Sequence, residues 1–243
     1  MCELFVARVR DGFRLGELWE LVERLERYGI AGFGWGVAWT AGSELGCHAA
    51  TGAFRDDPAR DRLAELEASC ALVHLRRPSR LSTVGPADTQ PFVDPAGRFA
   101  FAHNGDFARY REPRARFVVA GRIHGRADSE VGMRLLEDRW DGPTPDARPG
   151  AAGEDGGGRD VGAMLSGLHD ELGGEANMAV LQPDASAHVH AGNAENPVFA
   201  FRLGHFDIVS TGIYSLDRSF FRLVAPAARD RRAIRHGGHV RVG

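Results

Sequence analysis

Lysine is absent from this 243-residue sequence: all thirty of its Lys/Arg positions are arginine. That excludes any mechanism built on a catalytic lysine, such as a Schiff base with a carbonyl substrate. Cysteine is scarce. Cys2, Cys47 and Cys70 form no CxxC pair and no regular framework, which argues against a zinc ribbon or a disulfide scaffold. Cys47 and Cys70 read as buried apolar residues. No apolar run approaches the roughly 20 residues of a membrane span. The start, MCELFVARVRDG, has acidic Glu3 where a secretory leader carries basic charge ahead of a long apolar stretch. A cytoplasmic, reducing location is expected. Charge of one sign is also lacking. The net value of −3 offers nothing global for nucleic acid or an anionic membrane, and neither is expected as a partner.

What is present is an ordinary globular composition, long enough for a substantial core. Residues 3–9 read as a short strand. Leu15, Leu18, Trp19, Val22 and Leu25 then recur at helical spacing. Phe33 to Trp39 suits a buried strand, and Pro58 opens a helix through Ala68. Ala71 to Leu75 and Phe99 to His103 read as buried strands. Asp128 starts a helix with Val131, Leu135 and Leu136 as its stripe. Residues 142–160 are rich in Gly, Pro and Asp without apolar periodicity, a surface loop or disordered insertion. Gly162 to Leu172 looks helical. NMAVLQ, AHVHAG, VFAFRL, FDIVST and FFRLV follow as a run of short strands. Two packed sheets flanked by helices use all these elements within one domain spanning 1–243.

Four places could carry chemistry. A small second residue allows Met1 to be removed, leaving Cys2 with a free α-amine. That amine has a pKa of about 8, below lysine's ~10, so it can accept the thiol proton. The alternative is a chance cysteine. His103-Asn104-Gly105 follows the apolar FAFA run. Asn104 and the Gly105 N–H could form an oxyanion hole, or simply a hairpin turn. Arg76, ending a buried strand, could clamp a carboxylate, or make a structural salt bridge. Asp128 could bind an ammonium group, or cap its helix. His188 and His190, alternating on a strand, could hold zinc, but such histidines are more often solvated or hydrogen-bonded, and no metal is expected.

Taken in order, these segments resemble a known family. Met1-Cys2-Glu3-Leu4-Phe5, Gly34-Trp35-Gly36-Val37-Ala38, His74-Leu75-Arg76, Thr89-Gln90-Pro91-Phe92, Phe101-Ala102-His103-Asn104-Gly105 and Asp128-Ser129-Glu130 are similar to the class II glutamine amidotransferase domain, within the N-terminal-nucleophile hydrolases. The resemblance implies an α+β fold, a four-layer α-β-β-α sandwich of two mainly antiparallel sheets. It implies Cys2 as nucleophile with its own α-amine as base, and Arg76 on the substrate carboxylate with Ser79 nearby. Asn104 and Gly105 would form the oxyanion hole, and Asp128, with the Gly105 carbonyl, would hold the α-ammonium. The reaction would cleave the γ-amide of glutamine or a γ-glutamyl compound through a thioester, without metal or organic cofactor. A separate synthase subunit would use the ammonia. The alternatives are a γ-glutamyl hydrolase of the ergothioneine type and a catalytically silent binding protein on the same fold.

The sequence departs from the family pattern at Phe33, Arg77-Pro78, Gln90 (usually His), Arg126-Ala127 and Ser210-Thr211-Gly212. These departures leave the expected nucleophile and oxyanion donors themselves intact.

Overall fold

Side chains alternate across a strand, and the first strand uses both its faces. In β1 (Glu3–Arg14), Phe5 and Ala7 fall on one side and Leu4 and Val6 on the other, all fully buried. The computed structural model describes residues 2–29, 31–78, 81–142, 159–212 and 219–243, and it shows what covers each face. After β1 come α1 (Trp19–Gly29), β2 (Trp35–Ala41), β3 (Glu44–Ala50), α2 (Ala59–Ala64), β4 (Glu67–Leu75), β5 (Phe92–Val93) and β6 (Ala100–Phe107). Then follow α3 (Arg111–Val119), α4 (Ser129–Asp141), α5 (Val161–Leu172), β7 (Gly174–Leu181), β8 (Ala187–Ala191), β9 (Val198–Leu203), β10 (Phe206–Thr211), α6 (Phe220–Leu223), β11 (Arg229–Ala233) and β12 (Gly238–Val242). Seven strands pair in the order β11-β9-β10-β1-β4-β2-β3 and five in the order β12-β8-β7-β6-β5. The pairings are antiparallel.

Three apolar clusters separate four layers. Leu21, Val22 and Leu25 of α1 pack with Phe5, Ala7 and Val73 against the outer face of the larger sheet. Val131, Leu135, Leu165 and Leu168 of α4 and α5 pack with Phe101, Met178 and Val180 against the outer face of the smaller one. Between the sheets lie Leu4, Val6, Ala38, Leu72, Ala100, Ala102, Ala179, Leu181, Ala187 and Val209. This is an α+β sandwich, as expected. The alanines on the facing strands let the sheets approach closely.

Several boundaries differ from the sequence reading. The helix opened by Pro58 ends at Ala64, and Glu67 and Ala68 already belong to β4. β3, α3, β11 and β12 were not foreseen. FFRLV is not a strand. It is one helical turn whose Phe220 and Phe221 rings pack on Phe199 and Phe201. Its aromatic composition signals burial, which a helix satisfies as well as a ladder. Cys70 is buried as expected, but Cys47 is exposed because β3 is the sheet's edge strand. Most of the glycine-rich stretch 142–160 lies outside the described residues. At its end Asp160 caps α5 by accepting the Ala163 N–H at 2.9 Å. No helix among the described residues is long and apolar enough to cross a membrane.

Buried histidines give the fold a defined pH response. Burial holds His74 and His103 down to about 3, and His188 and His190 down to about 4. In the unfolded chain each protonates near 6.5. Between those values the unfolded state binds more protons, so stability falls as the pH drops through this window. Glu3 has the opposite sign: burial pushes its carboxyl up to about 8, so its contribution is present below pH 4.5 and lost as the pH rises through 8. With four histidines set against the two raised carboxyls, Glu3 and Asp128, the urea midpoint is expected to be lower at about pH 4.5 than at pH 7. The gap should narrow in His188→Gln/His190→Gln, and an equal midpoint at both pH values would rule out neutral burial.

Candidate active site

Strand pairing brings the chain start to the end of β4. Glu3 lies opposite Leu75 in the β1–β4 ladder, which leaves Cys2 beside Arg76 and Arg77. The Arg77 N–H donates to Cys2 Sγ at 3.4 Å, and Sγ lies 3.7 Å from the Arg77 carbonyl. Burial pushes the half-buried Cys2 thiol up, while the Arg77 N–H and the Arg76 charge pull it back. Arg76 is held by its main chain: its N–H donates to Gly34 O at 2.8 Å, and its carbonyl accepts from Gly32 and Phe33, both at 3.3 Å. Its buried side chain gives one N–H group, Nη2, to Thr83 O at 2.5 Å, and Nε and Nη1 have no partner among the described residues. Buried cationic donors without acceptors are costly, and a carboxylate would satisfy them with charge-assisted bonds. Ser79 lies outside the described residues.

Asn104 and Gly105 do not form a turn. Both are inside β6, paired with Asn177 and Ala176 of β7. The alternation that sends Phe101 to the helices sends Asn104 with Ala100 and Ala102 toward the larger sheet, where Cys2 begins. Asn104 is fully buried. Its Oδ1 accepts from Asn177 Nδ2 at 3.4 Å and Asn196 Nδ2 at 3.2 Å, and its own Nδ2 has no partner among the described residues. Gly105 sits at φ +131°, and a Cβ there would run into the Glu175 carbonyl, so only glycine fits. Asn196 Nδ2 also lies 3.4 Å from both Cys2 O and Glu3 Oε2.

Asp128 occupies the N-cap position of α4 but does not cap it. Its Oδ2 instead accepts the Phe107 N–H at 2.7 Å, tying the helix start to the end of β6, and burial raises its carboxyl. The approach to it is shaped by Asp88, whose Oδ1 accepts from both Arg126 and Ala127 N–H at 2.6 Å. Next to it, Ser129 Oγ is 2.9 Å from His103 Nδ1, and the His103 ring stacks on Phe107 at 4.0 Å. Gln90 accepts the His103 N–H on Oε1 at 2.6 Å and lines the same cleft as His103. Ser210 and Thr211 also have structural partners: Thr211 Oγ1 accepts from Leu4 N at 3.1 Å and donates to Glu3 Oε2 at 2.6 Å.

Cys2, Arg76, Gly105 and Asp128 all line one cleft of about 800 Å³. Thiol, guanidinium, backbone amide and carboxylate are groups that could hold an α-amino acid and open its side-chain amide. The histidines elsewhere form pairs, His188 with His239 and His190 with His169, each at 3.0 Å. Among the described residues no group of three or more His, Cys, Asp or Glu side chains is arranged to hold a metal ion.

Comparison with known proteins bears on the fold. No family model matches the chain. The chloroplastic amidophosphoribosyltransferase of Vigna aconitifolia is 40% identical over 81 residues, 31% of this chain and 16% of that protein. The glutamine phosphoribosylpyrophosphate amidotransferase of B. subtilis superposes on 99% of this chain with a TM-score of 0.68 at 16% identity. The chain spans about half of that structure, 49%. A glutamine aminotransferase class-II domain protein from Silicibacter pomeroyi superposes on 99% of this chain and 94% of its own, with a TM-score of 0.58 at 17% identity. The chain has the class II glutamine amidotransferase fold. In that fold the described residues bring together four of the six positions expected from the sequence, Cys2, Arg76, Gly105 and Asp128, in the cleft. Asn104 does not line the cleft; it is buried between His103 and Gly105, which do.

Asn177, Asn196, Glu3 and Thr211 were not read from the sequence. The available signal was a polar residue inside an apolar strand, Asn177 at the head of NMAVLQ. Such a residue needs buried partners, but the sequence does not say which. Gly105→Ala should abolish the soluble fold or lower thermal stability by several kcal/mol, measured by calorimetry. A near-native melting profile would mean that β6 and β7 are not as close as described.

Proposed function

We propose that this chain is an N-terminal cysteine amidohydrolase that cleaves the γ-amide of glutamine or a γ-glutamyl compound through a thioester. The observation that carries this reading is the unpartnered Asn104 Nδ2, buried between the two sheets beside the cleft that Cys2 and Arg76 line. After removal of Met1, the Cys2 α-amine takes the thiol proton. This is needed because burial disfavours a free thiolate. The sulfur attacks the γ-carbonyl carbon, and the C=O electron pair moves onto oxygen. That oxyanion receives N–H groups from Asn104 and Gly105, each donor worth about 10²–10³ in rate. Collapse breaks the C–N bond, and the departing amine takes the proton back from the α-ammonium. Water, deprotonated by the same amine, then attacks the thioester and releases glutamate and the Cys2 thiol. Arg76 holds the substrate α-carboxylate and Asp128 its α-ammonium throughout.

Cys2→Ala preserves Met1 removal, confirmed by intact mass, and should lower hydrolysis of glutamine or γ-glutamyl substrates by at least about 10³-fold. Retained turnover would refute the assignment. In the wild-type protein, acid quench during turnover should trap a γ-glutamyl adduct on the peptide that begins at Cys2.

One observation favours a γ-glutamyl substrate over free glutamine. The cleft, at about 800 Å³, lies toward the upper end of the range of ligand sites, about 300–1,000 Å³. Arg77, Arg111 and Arg126 line it and make no ion pair among the described residues. An amine portion bearing an anionic group would meet them. A γ-glutamyl dipeptide should then show a KM below that of glutamine, and Arg126→Gln should raise the dipeptide's KM about five- to tenfold while leaving glutamine's unchanged. Equal effects on both substrates would favour glutamine, with ammonia passed to a separate synthase.

A further inference from the structure

The Asn104 amide is oriented by groups that the reaction never touches. The geometry points to Asn177 and Asn196 as positioning residues, a relay of amides through which the main chain aims the Asn104 NH₂ at the reacting carbonyl. This rests on the reading of Cys2 and Asn104 above.

The relay starts at unambiguous groups. The backbone N–H groups of Gly192 and Asn193 can only donate, and both do so to Asn177 Oδ1 at 3.1 Å. Asn177 Nδ2 is therefore its donor end, directed at Asn196 O (2.8 Å) and Asn104 Oδ1 (3.4 Å). From the other side, the Cys2 carbonyl can only accept, so the group 3.4 Å from it is the NH₂ of Asn196. That NH₂ also lies 3.2 Å from Asn104 Oδ1. Two donors thus converge on the Asn104 oxygen. A flipped Asn104 would place NH₂ against NH₂ twice inside a site with no water exposure, forfeiting both bonds. Asn104, Asn177 and Asn196 are each 0% exposed, so solvent offers no alternative partner. Asn196 is itself placed by Asn193, whose Oδ1 accepts the Asn196 N–H at 3.0 Å. The segment between β8 and β9 therefore reaches across to the nucleophile's own carbonyl.

Asn→Asp at either position keeps the shape and replaces the donor NH₂ with a carboxyl oxygen. Asn177→Asp and Asn196→Asp are each expected to lower kcat for glutamine or γ-glutamyl amide hydrolysis about 10- to 100-fold, with KM within about threefold. Rates are normalised to the folded fraction, isolated by size-exclusion chromatography and checked by near-UV circular dichroism, so unfolded protein does not count. Asn196→Ala, which removes the donors without adding a buried carboxyl, should show the same split. The decisive measurement repeats the substitutions in an Asn104→Ala background, where further loss should be under about twofold because the target of the relay is gone. Equal fractional losses in both backgrounds, or an unchanged kcat in active variants, would overturn the relay while leaving the Cys2 assignment standing. A wild-type protein that turns over no such amide would overturn both.

Discussion

The site depends on where one buried amide points. The Asn104 NH₂ is free because its oxygen is occupied, and its oxygen is occupied because Asn177 and Asn196 have no other way to satisfy backbone groups at Gly192, Asn193 and Cys2. The chemistry of the cleft thus traces back to the obligatory pairing of main-chain N–H and C=O groups. A side chain on a flexible loop could present the same donor, but it would lose part of the gain in ordering itself during the reaction.

Packing makes this possible. Asparagine side chains are short, so the two sheets must lie close for amides from β6, β7 and the β8–β9 segment to reach Cys2. Ala100, Ala102, Ala179 and Ala187 on the inner face allow that approach. Where backbone itself comes closest, at Gly105 against Glu175, even a methyl group is excluded. The outer faces carry the bulk: Phe101, Phe107, Met178 and the α4 and α5 leucines supply the hydrophobic burial that offsets the cost of a polar cluster inside the sandwich.

Electrostatics at the site follows the same burial. Desolvation pushes the Cys2 thiol and the Glu3 and Asp128 carboxyls up and keeps His74 and His103 neutral. Arg76 is the buried charge at the cleft, with two nitrogens unpartnered among the described residues, while Arg77, Arg111 and Arg126 line it from more exposed positions. A site with few mobile charges and fixed dipoles is suited to a reaction in which negative charge appears briefly on one oxygen.

Much of this was present in the order of residues. Local patterns located β1, β4, β6, α4 and α5, and the succession of Cys2, Arg76, Asn104-Gly105 and Asp128 named the chemical groups, because nucleophile, cation, amide donor and carboxylate are properties of residue type. Other features depended on contacts between distant segments. FFRLV is apolar enough for strand or helix, and only its packing on Phe199 and Phe201 chose the helical turn. Asn104-Gly105 reads locally as a turn, and only the ladder to Asn177 and Ala176 keeps it extended. Asn177 is marked only as a polar residue at the head of an apolar strand and Asn196 not at all, since the direction of an amide depends on which donors and acceptors surround it. The sequence by itself determined which groups are available and the layers they fold into; tertiary structure alone decided which way they face, because orientation in a buried site is set by partners far away in the chain.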